Sequence, residues 1–187
     1  MMINAIGCIE LSSIAVGYQV ADAMKKSASV ELVWNQIHCP GRLMLMVLGD
    51  ASSVASAIEV GRTTGGQRVV DTLVLSRIHQ EVLEAISRKK KTVKVDTLGV
   101  IEAYSISSAI EAADLVVNSS NVELLDINVT MGLSGKGIVM IAGDVASVSF
   151  AADIARAKAE SQEKVLLATV ISNPDPDILS KGRGLRV

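Results

Sequence analysis

The chain has 187 residues, a formal net charge of −2 from 18 Lys and Arg against 20 Asp and Glu, and 49% hydrophobic residues with only 2% aromatic. Interspersed, near-balanced charge offers no field for nucleic acid, and two cysteines do not make the disulfide framework of a small secreted domain. No apolar run approaches the ~20 residues that span a bilayer and no signal peptide precedes Asn4, so a cytoplasmic chain without a membrane or nucleic-acid partner is expected.

Ala5 to Leu11 reads as a short strand, after which Ser12 and Ser13 cap a helix that carries Ile14, Tyr18, Ala21 and Met24 on one side. Ser29 to Ile37 mixes Val30, Leu32 and Trp34 with polar residues, and Pro40-Gly41 breaks the chain before the apolar run Leu43 to Leu48. That pattern predicts two strands joined by a loop at Cys39. Asp50 then caps a second helix, with Val54, Ala57, Ile58 and Gly61 at helical spacing and Gly65-Gly66 at its end. Val69 to Leu75 is a fourth strand, and Gln80 to Ile86 a short closing helix. The order β-α-β-β-α-β is the split unit of ferredoxin-like folds.

The chain then repeats itself. Leu98-Gly99-Val100-Ile101-Glu102, Ala113-Asp114 and Val122-Glu123-Leu124 match Ile6-Gly7-Cys8-Ile9-Glu10, Ala21-Asp22 and Val30-Glu31-Leu32. Further on, Gly135-Lys136, Gly143-Asp144 and Val148 match Gly41-Arg42, Gly49-Asp50 and Val54. Duplication of this length predicts an α/β (α+β) protein of two tandem ferredoxin-like domains, 1–87 and 97–187, joined by a linker over 88–96. Second-copy strands are expected near 98–104, 121–130, 137–143 and 165–171, and Arg88-Lys89-Lys90-Lys91 is read as solvated linker. A tail from Asp175, with Lys181-Gly182-Arg183-Gly184, is expected to be only partly ordered. The copies part company in one loop: His38-Cys39-Pro40-Gly41 in the first stands against Gly132-Leu133-Ser134-Gly135 in the second.

The series Ala5-Ile6-Gly7, Glu10, Ala21-Asp22-Ala23-Met24, Lys26-Ser27-Ala28, Val30, Gly41, Gly49-Asp50 and Val54 resembles the bacterial microcompartment shell domain, and the second copy shows the same series. Two domains in unpermuted order resemble the tandem-domain, trimer-forming shell proteins, and Cys39-Pro40-Gly41 is similar to the T-type members of propanediol-utilisation microcompartments. The resemblance implies a homotrimer forming a flat pseudo-hexagonal tile in a shell around enzymes. It also implies other shell proteins as neighbours, and redox enzymes inside or outside the shell as partners.

In that family the loop between the second and third strands lines the pore. Carried over, this places His38, Cys39, Pro40 and Gly41 of one copy and Gly132, Leu133, Ser134 and Gly135 of the other around the axis. One cysteine per chain beside a threefold axis presents three thiolates. A [4Fe–4S] cube has a matching axis, so three thiolates hold three irons and leave the fourth to a non-protein ligand. One [4Fe–4S] cluster per trimer, with Cys39 as the metal ligand, is what the resemblance implies and this symmetry allows, for electron transfer or cluster exchange. Cys39-Pro40 is also similar to the Cys-Pro end of bacterial ferredoxin runs. Zinc is a rival, but three sulfurs and a water would make an open site with no base nearby. The alternative for Cys39 is a small buried or rim residue without metal, leaving a pore for metabolites. His38 is read as a solvated rim residue, the alternative being a group that tunes or ligates the cluster. Cys8 is read as a core thiol, since Val100 replaces it in the second copy.

The resemblance further assigns Lys26 and the loop Arg77-Ile78-His79 to contacts between tile edges, where the second copy has Asn118, Asn173 and Asp175. Ordinary solvated charges are the alternative. Gly132 to Gly137 lacks the spacing and the Ser or Thr of a phosphate loop. No nucleophile–base pair or carboxylate pair has usable spacing, so no catalytic residue is assigned and the chain is not expected to be an enzyme. A regulatory ligand-binding protein of ferredoxin-like repeats is the alternative from another class.

Overall fold

The computed structural model describes residues 5–87, 95–128, 135–162 and 165–181, which form two compact units. The linker run Arg88 to Lys91, the loop residues Gly132, Leu133 and Ser134, and the tail residues 182–187 lie outside the described residues.

The first unit runs β1 (Ala5–Leu11), α1 (Ile14–Ser27), β2 (Glu31–His38), β3 (Arg42–Gly49), α2 (Ala51–Gly65), a 3-10 turn over Gly66–Arg68, and β4 (Val69–Leu75). Its sheet has the order β2-β3-β1-β4 with every pair antiparallel, as the split unit requires. Local chemistry sets the helix ends. Ser13 Oγ accepts from the Val16 N–H, Asp50 Oδ1 accepts from the Ser53 N–H at 2.9 Å, and Gly66, at φ +51°, ends α2. Strand alternation does the rest. Ala5, Ile9 and Leu11 of β1 and Leu43, Leu45 and Val47 of β3 share a core with Val20, Ala21 and Met24 of α1 and Val54, Ala57 and Ile58 of α2. Tyr18 does not join this face as predicted. It is 55% exposed, and Gly17 takes its place in the buried stripe, because the core lies under the 17, 20, 21 and 24 positions.

The second unit runs α3 (Gln80–Ile86), β5 (Thr97–Ala103), α4 (Ile106–Ser119), β6 (Glu123–Asn128), β7 (Gly137–Gly143), α5 (Val145–Gln162), β8 (Val165–Ser172) and α6 (Pro176–Lys181). Its sheet order, β6-β7-β5-β8, repeats the first, and so do its irregularities. Register shifts fall between Leu32 and Trp34 and between Leu124 and Asp126, and again between Glu10 and Leu11 and between Glu102 and Ala103. Ser105 and Asp144 cap α4 and α5 as Ser13 and Asp50 cap α1 and α2.

One element sits elsewhere than the sequence order suggests. α3 follows the first copy in the chain but packs on β6 and α4 in the second unit. The second compact unit begins at His79, just ahead of α3. The physical reason is plain: Val82 and Ile86 bury their side chains there, the His79 N–H donates to Asp114 Oδ1 at 2.7 Å, and the Leu124 N–H donates to Glu81 Oε2 at 3.0 Å.

Candidate functional site

Cys39 stands at the tip of the β2–β3 hairpin. His38 and Arg42 face each other as its last strand pair, and the Gly41 N–H closes the turn on the His38 carbonyl at 3.0 Å. The Cys39–Pro40 peptide is cis, which places proline at the third position of a type VI turn. Gly41 takes φ +80°, a conformation that glycine adopts without steric cost, and Gly135 repeats it at φ +89° in the second copy. The Cys39 thiol is free and half-buried at this tip.

Beneath the turn lies a polar cluster. Glu10 is fully buried on β1, with its Oε2 3.7 Å from His38 Nε2 and 3.8 Å from Arg42 Nη1. The His38 ring is 6% exposed, and its Nδ1–H donates to the Cys39 carbonyl at 3.1 Å. His38 is therefore not the solvated rim residue that the sequence suggested: β2 pairing turns its ring in against Glu10 and Arg42. Burial pushes its pKa below the ordinary value, with Arg42 adding to that and the hydrogen bond to the Cys39 carbonyl opposing it. The second copy has the same carboxylate and cation, but Lys136 and Glu102 meet at 3.1 Å at the surface. A glutamate inside the otherwise apolar run of β1, repeated in β5, was the signal for this cluster.

Cys8 lies on β1 opposite Met46 of β3 and Leu73 of β4, fully buried, and burial first, then the charges of Glu10 and Asp71, push its thiol up. A thiolate is the form that binds metal. Buried Cys8 does not meet that condition. Among the described residues no three His, Cys, Asp or Glu side chains come together as a metal-binding group.

The predicted edge residues are scattered along the first copy and its border. Lys26 is exposed and pairs with Asp22 at 2.6 Å, and Arg77 is exposed. His79 is half-buried and serves as the N-cap of α3, its Nδ1 accepting from the Glu81 N–H at 3.3 Å. Of the counterparts, Asn118 donates to the Asp114 carbonyl at 2.7 Å and Asp175 Oδ1 accepts from the Asp177 N–H at 2.8 Å.

Comparison with known proteins agrees with this architecture. The BMC domain model matches residues 5–78 and 97–174, which is both copies. The chain belongs to the BMC-domain family of bacterial microcompartment shell proteins. It is 40% identical over 173 residues to the bacterial microcompartment shell protein PduT of Citrobacter freundii, covering 92% of this chain and 94% of that one. The bacterial microcompartment shell protein PduA of the same organism is 39% identical over 90 residues, 46% of this chain and 95% of its own. A crystal structure of a microcompartment protein from Desulfitobacterium hafniense superposes with a TM-score of 0.84 at 35% identity, covering 97% of this chain and all of that one. A BMC shell protein is a structural component, which fits a chain without an assigned catalytic residue. Among the described residues, no helix of this BMC protein is long and apolar enough to cross a membrane.

Proposed function

We propose that three copies of the chain close into a pseudo-hexagonal tile of a microcompartment shell, and that the three Cys39 thiolates gathered on its axis hold one [4Fe–4S] cluster. The observation that carries this reading is the free, half-buried thiol at the tip of the β2–β3 hairpin, in a chain whose other cysteine is sealed in the interior. The 40% identity to PduT across nearly the whole chain supports the tile. The residues fit a shared cluster: Cys39 would supply one thiolate per chain, Pro40 fixes the backbone beside it, and the His38 Nδ1–H donates to the Cys39 carbonyl. When bound, such a cluster takes up or gives one electron, which suits electron transfer or cluster exchange across the shell with redox enzymes as partners.

The test is anaerobic purification with iron and sulfide analysis. About one cluster per three chains is expected, and Cys39→Ala removes it while the oligomer mass is unchanged. Oligomers that stay iron-free after reconstitution overturn the cluster and leave a pore for metabolites. A chain that stays monomeric overturns the tile.

A further inference from the structure

The two copies carry the same pair of charges beside their hairpins but bury only one of them. Glu10 and Arg42 of the first copy stand at the positions of Glu102 and Lys136 in the second. The second pair meets at 3.1 Å with side chains 38% and 48% exposed, as ordinary solvated ions do. In the first copy the Glu10 side chain has no exposure and that of Arg42 has 18%. Taking charges out of water costs free energy that an ion pair returns only with good geometry, and here Glu10 Oε2 stays 3.8 Å from Arg42 Nη1. The fold itself does not require that burial, because the repeat pairs β6 with β7 as β2 pairs with β3 while its charges stay at the surface.

What the first copy has in addition is the Cys39 turn. Arg42 directly follows Gly41 and pairs across the hairpin with His38, whose ring donates to the Cys39 carbonyl. Among the described residues Arg42 Nη1 makes no hydrogen bond, so its hold on Glu10 is Coulombic. The guanidinium is also hemmed in from above. Gly135 belongs to the first compact unit, and a Cβ added there would lie 2.9 Å from Arg42 Nη1 and 3.6 Å from the Cys39 carbonyl oxygen. Arg42 and the Cys39 carbonyl therefore flank one spot on Gly135, a residue without a side chain to push either away. A confined cation thus lies beside the turn that carries the thiol.

We infer that Arg42 is the positioning residue of the Cys39 turn: anchored by the buried Glu10 carboxylate, it fixes the backbone that carries the thiol and sets a positive charge beside the proposed cluster. This rests on the cluster reading only for the effect of that charge. A nearby positive charge favours the reduced, more negative state of a cluster and a negative charge opposes it, so Arg42 and Glu10 act on the reduction potential in opposite directions.

Arg42→Gln, Arg42→Lys and Glu10→Gln test this, with Trp34-monitored urea unfolding to show that each variant is folded. In iron-loaded protein, a redox titration followed by electron paramagnetic resonance should give a lower potential for Arg42→Gln, one near wild type for Arg42→Lys and a higher one for Glu10→Gln. In cluster-free protein the Gly41 N–H, bonded to the His38 carbonyl, should exchange its hydrogen about tenfold faster in Arg42→Gln. Where a single variant does not fold, the double variant Glu10→Gln with Arg42→Gln strands no buried charge, and it should show the same faster exchange. Potentials that do not move in opposite directions, or Gly41 exchange at the wild-type rate, overturn this inference and leave the cluster standing. A wild-type chain that stays iron-free after reconstitution overturns the cluster, and the exchange rates then decide the role of Arg42 by themselves.

Discussion

Gly17 offers a sharp test of how the base of the Cys39 hairpin is packed. A Cβ added at Gly17 would lie 2.3 Å from Leu43 Cδ2, 3.1 Å from its Cβ and 3.2 Å from its Cγ, and Leu43 is fully buried two residues beyond Gly41. Turning the leucine tip away relieves the first contact but not the other two. In an open helix the change Gly→Ala stabilises by ~1 kcal/mol. Overpacking a close-packed core costs ~1–3 kcal/mol, and contacts this short belong toward the upper end, so Gly17→Ala should destabilise the first unit by about 1–2 kcal/mol. The second copy solves the same contact with sizes exchanged: Gly137 stands at the Leu43 position, and a Cβ there would lie 2.4 Å from Ala109, the counterpart of Gly17. Leu43→Ala alone should cost ~2–5 kcal/mol by opening a cavity. Combined with Gly17→Ala it should cost at least ~1 kcal/mol less than the sum of the two single changes, because the added methyl enters the space that leucine leaves. Urea unfolding followed by fluorescence is the assay. Trp34, the single tryptophan, lies on β2, so the signal reports the first unit. A Gly17→Ala protein as stable as wild type, or strictly additive single changes, would refute the packing argument.

Asp50 caps α2 through Ser52 and Ser53, and these hydrogen bonds hold its carboxyl below the usual carboxylate range. Its contribution is therefore present above the ordinary aspartate pKa and lost on acidification through the lower folded value, so Asp50→Ala should lower the urea midpoint at pH 7 and converge with wild type in acid. In cluster-free protein, one thiol per chain, Cys39, should react quickly with a disulfide reagent at pH 8 and Cys8 only after unfolding; two fast thiols in the native state would contradict the burial of Cys8. Lys26→Ala removes an exposed pair with Asp22 and should leave the melting temperature unchanged, so loss of extended sheets in electron micrographs would assign Lys26 to tile edges and intact sheets would dismiss it from them.

Much of the architecture was legible because it depends on neighbours in the chain. Ser13 and Asp50 announce helix starts by their own side-chain chemistry, and Pro40-Gly41 marks the hairpin tip that carries Cys39. Short continuous apolar runs locate β1 and β3, and duplication supplies their counterparts a second time. Periodicity is weaker on the helices, where the neighbouring positions 17 and 18 both suit the apolar side of α1, and only packing shows that Gly17 meets Leu43 while Tyr18 faces out.

The sequence by itself determined two copies of one fold and a single cysteine at an exposed turn, since caps, alternation and turn chemistry act over a few residues. Tertiary structure decided what covers each face. It took α3 from the copy it follows and set it on α4 and β6, and it brought Glu10 beneath His38 and Arg42. Local pattern says which side chains share a face, whereas burial is a relation between segments far apart in the chain, and its free energy exists only once they meet.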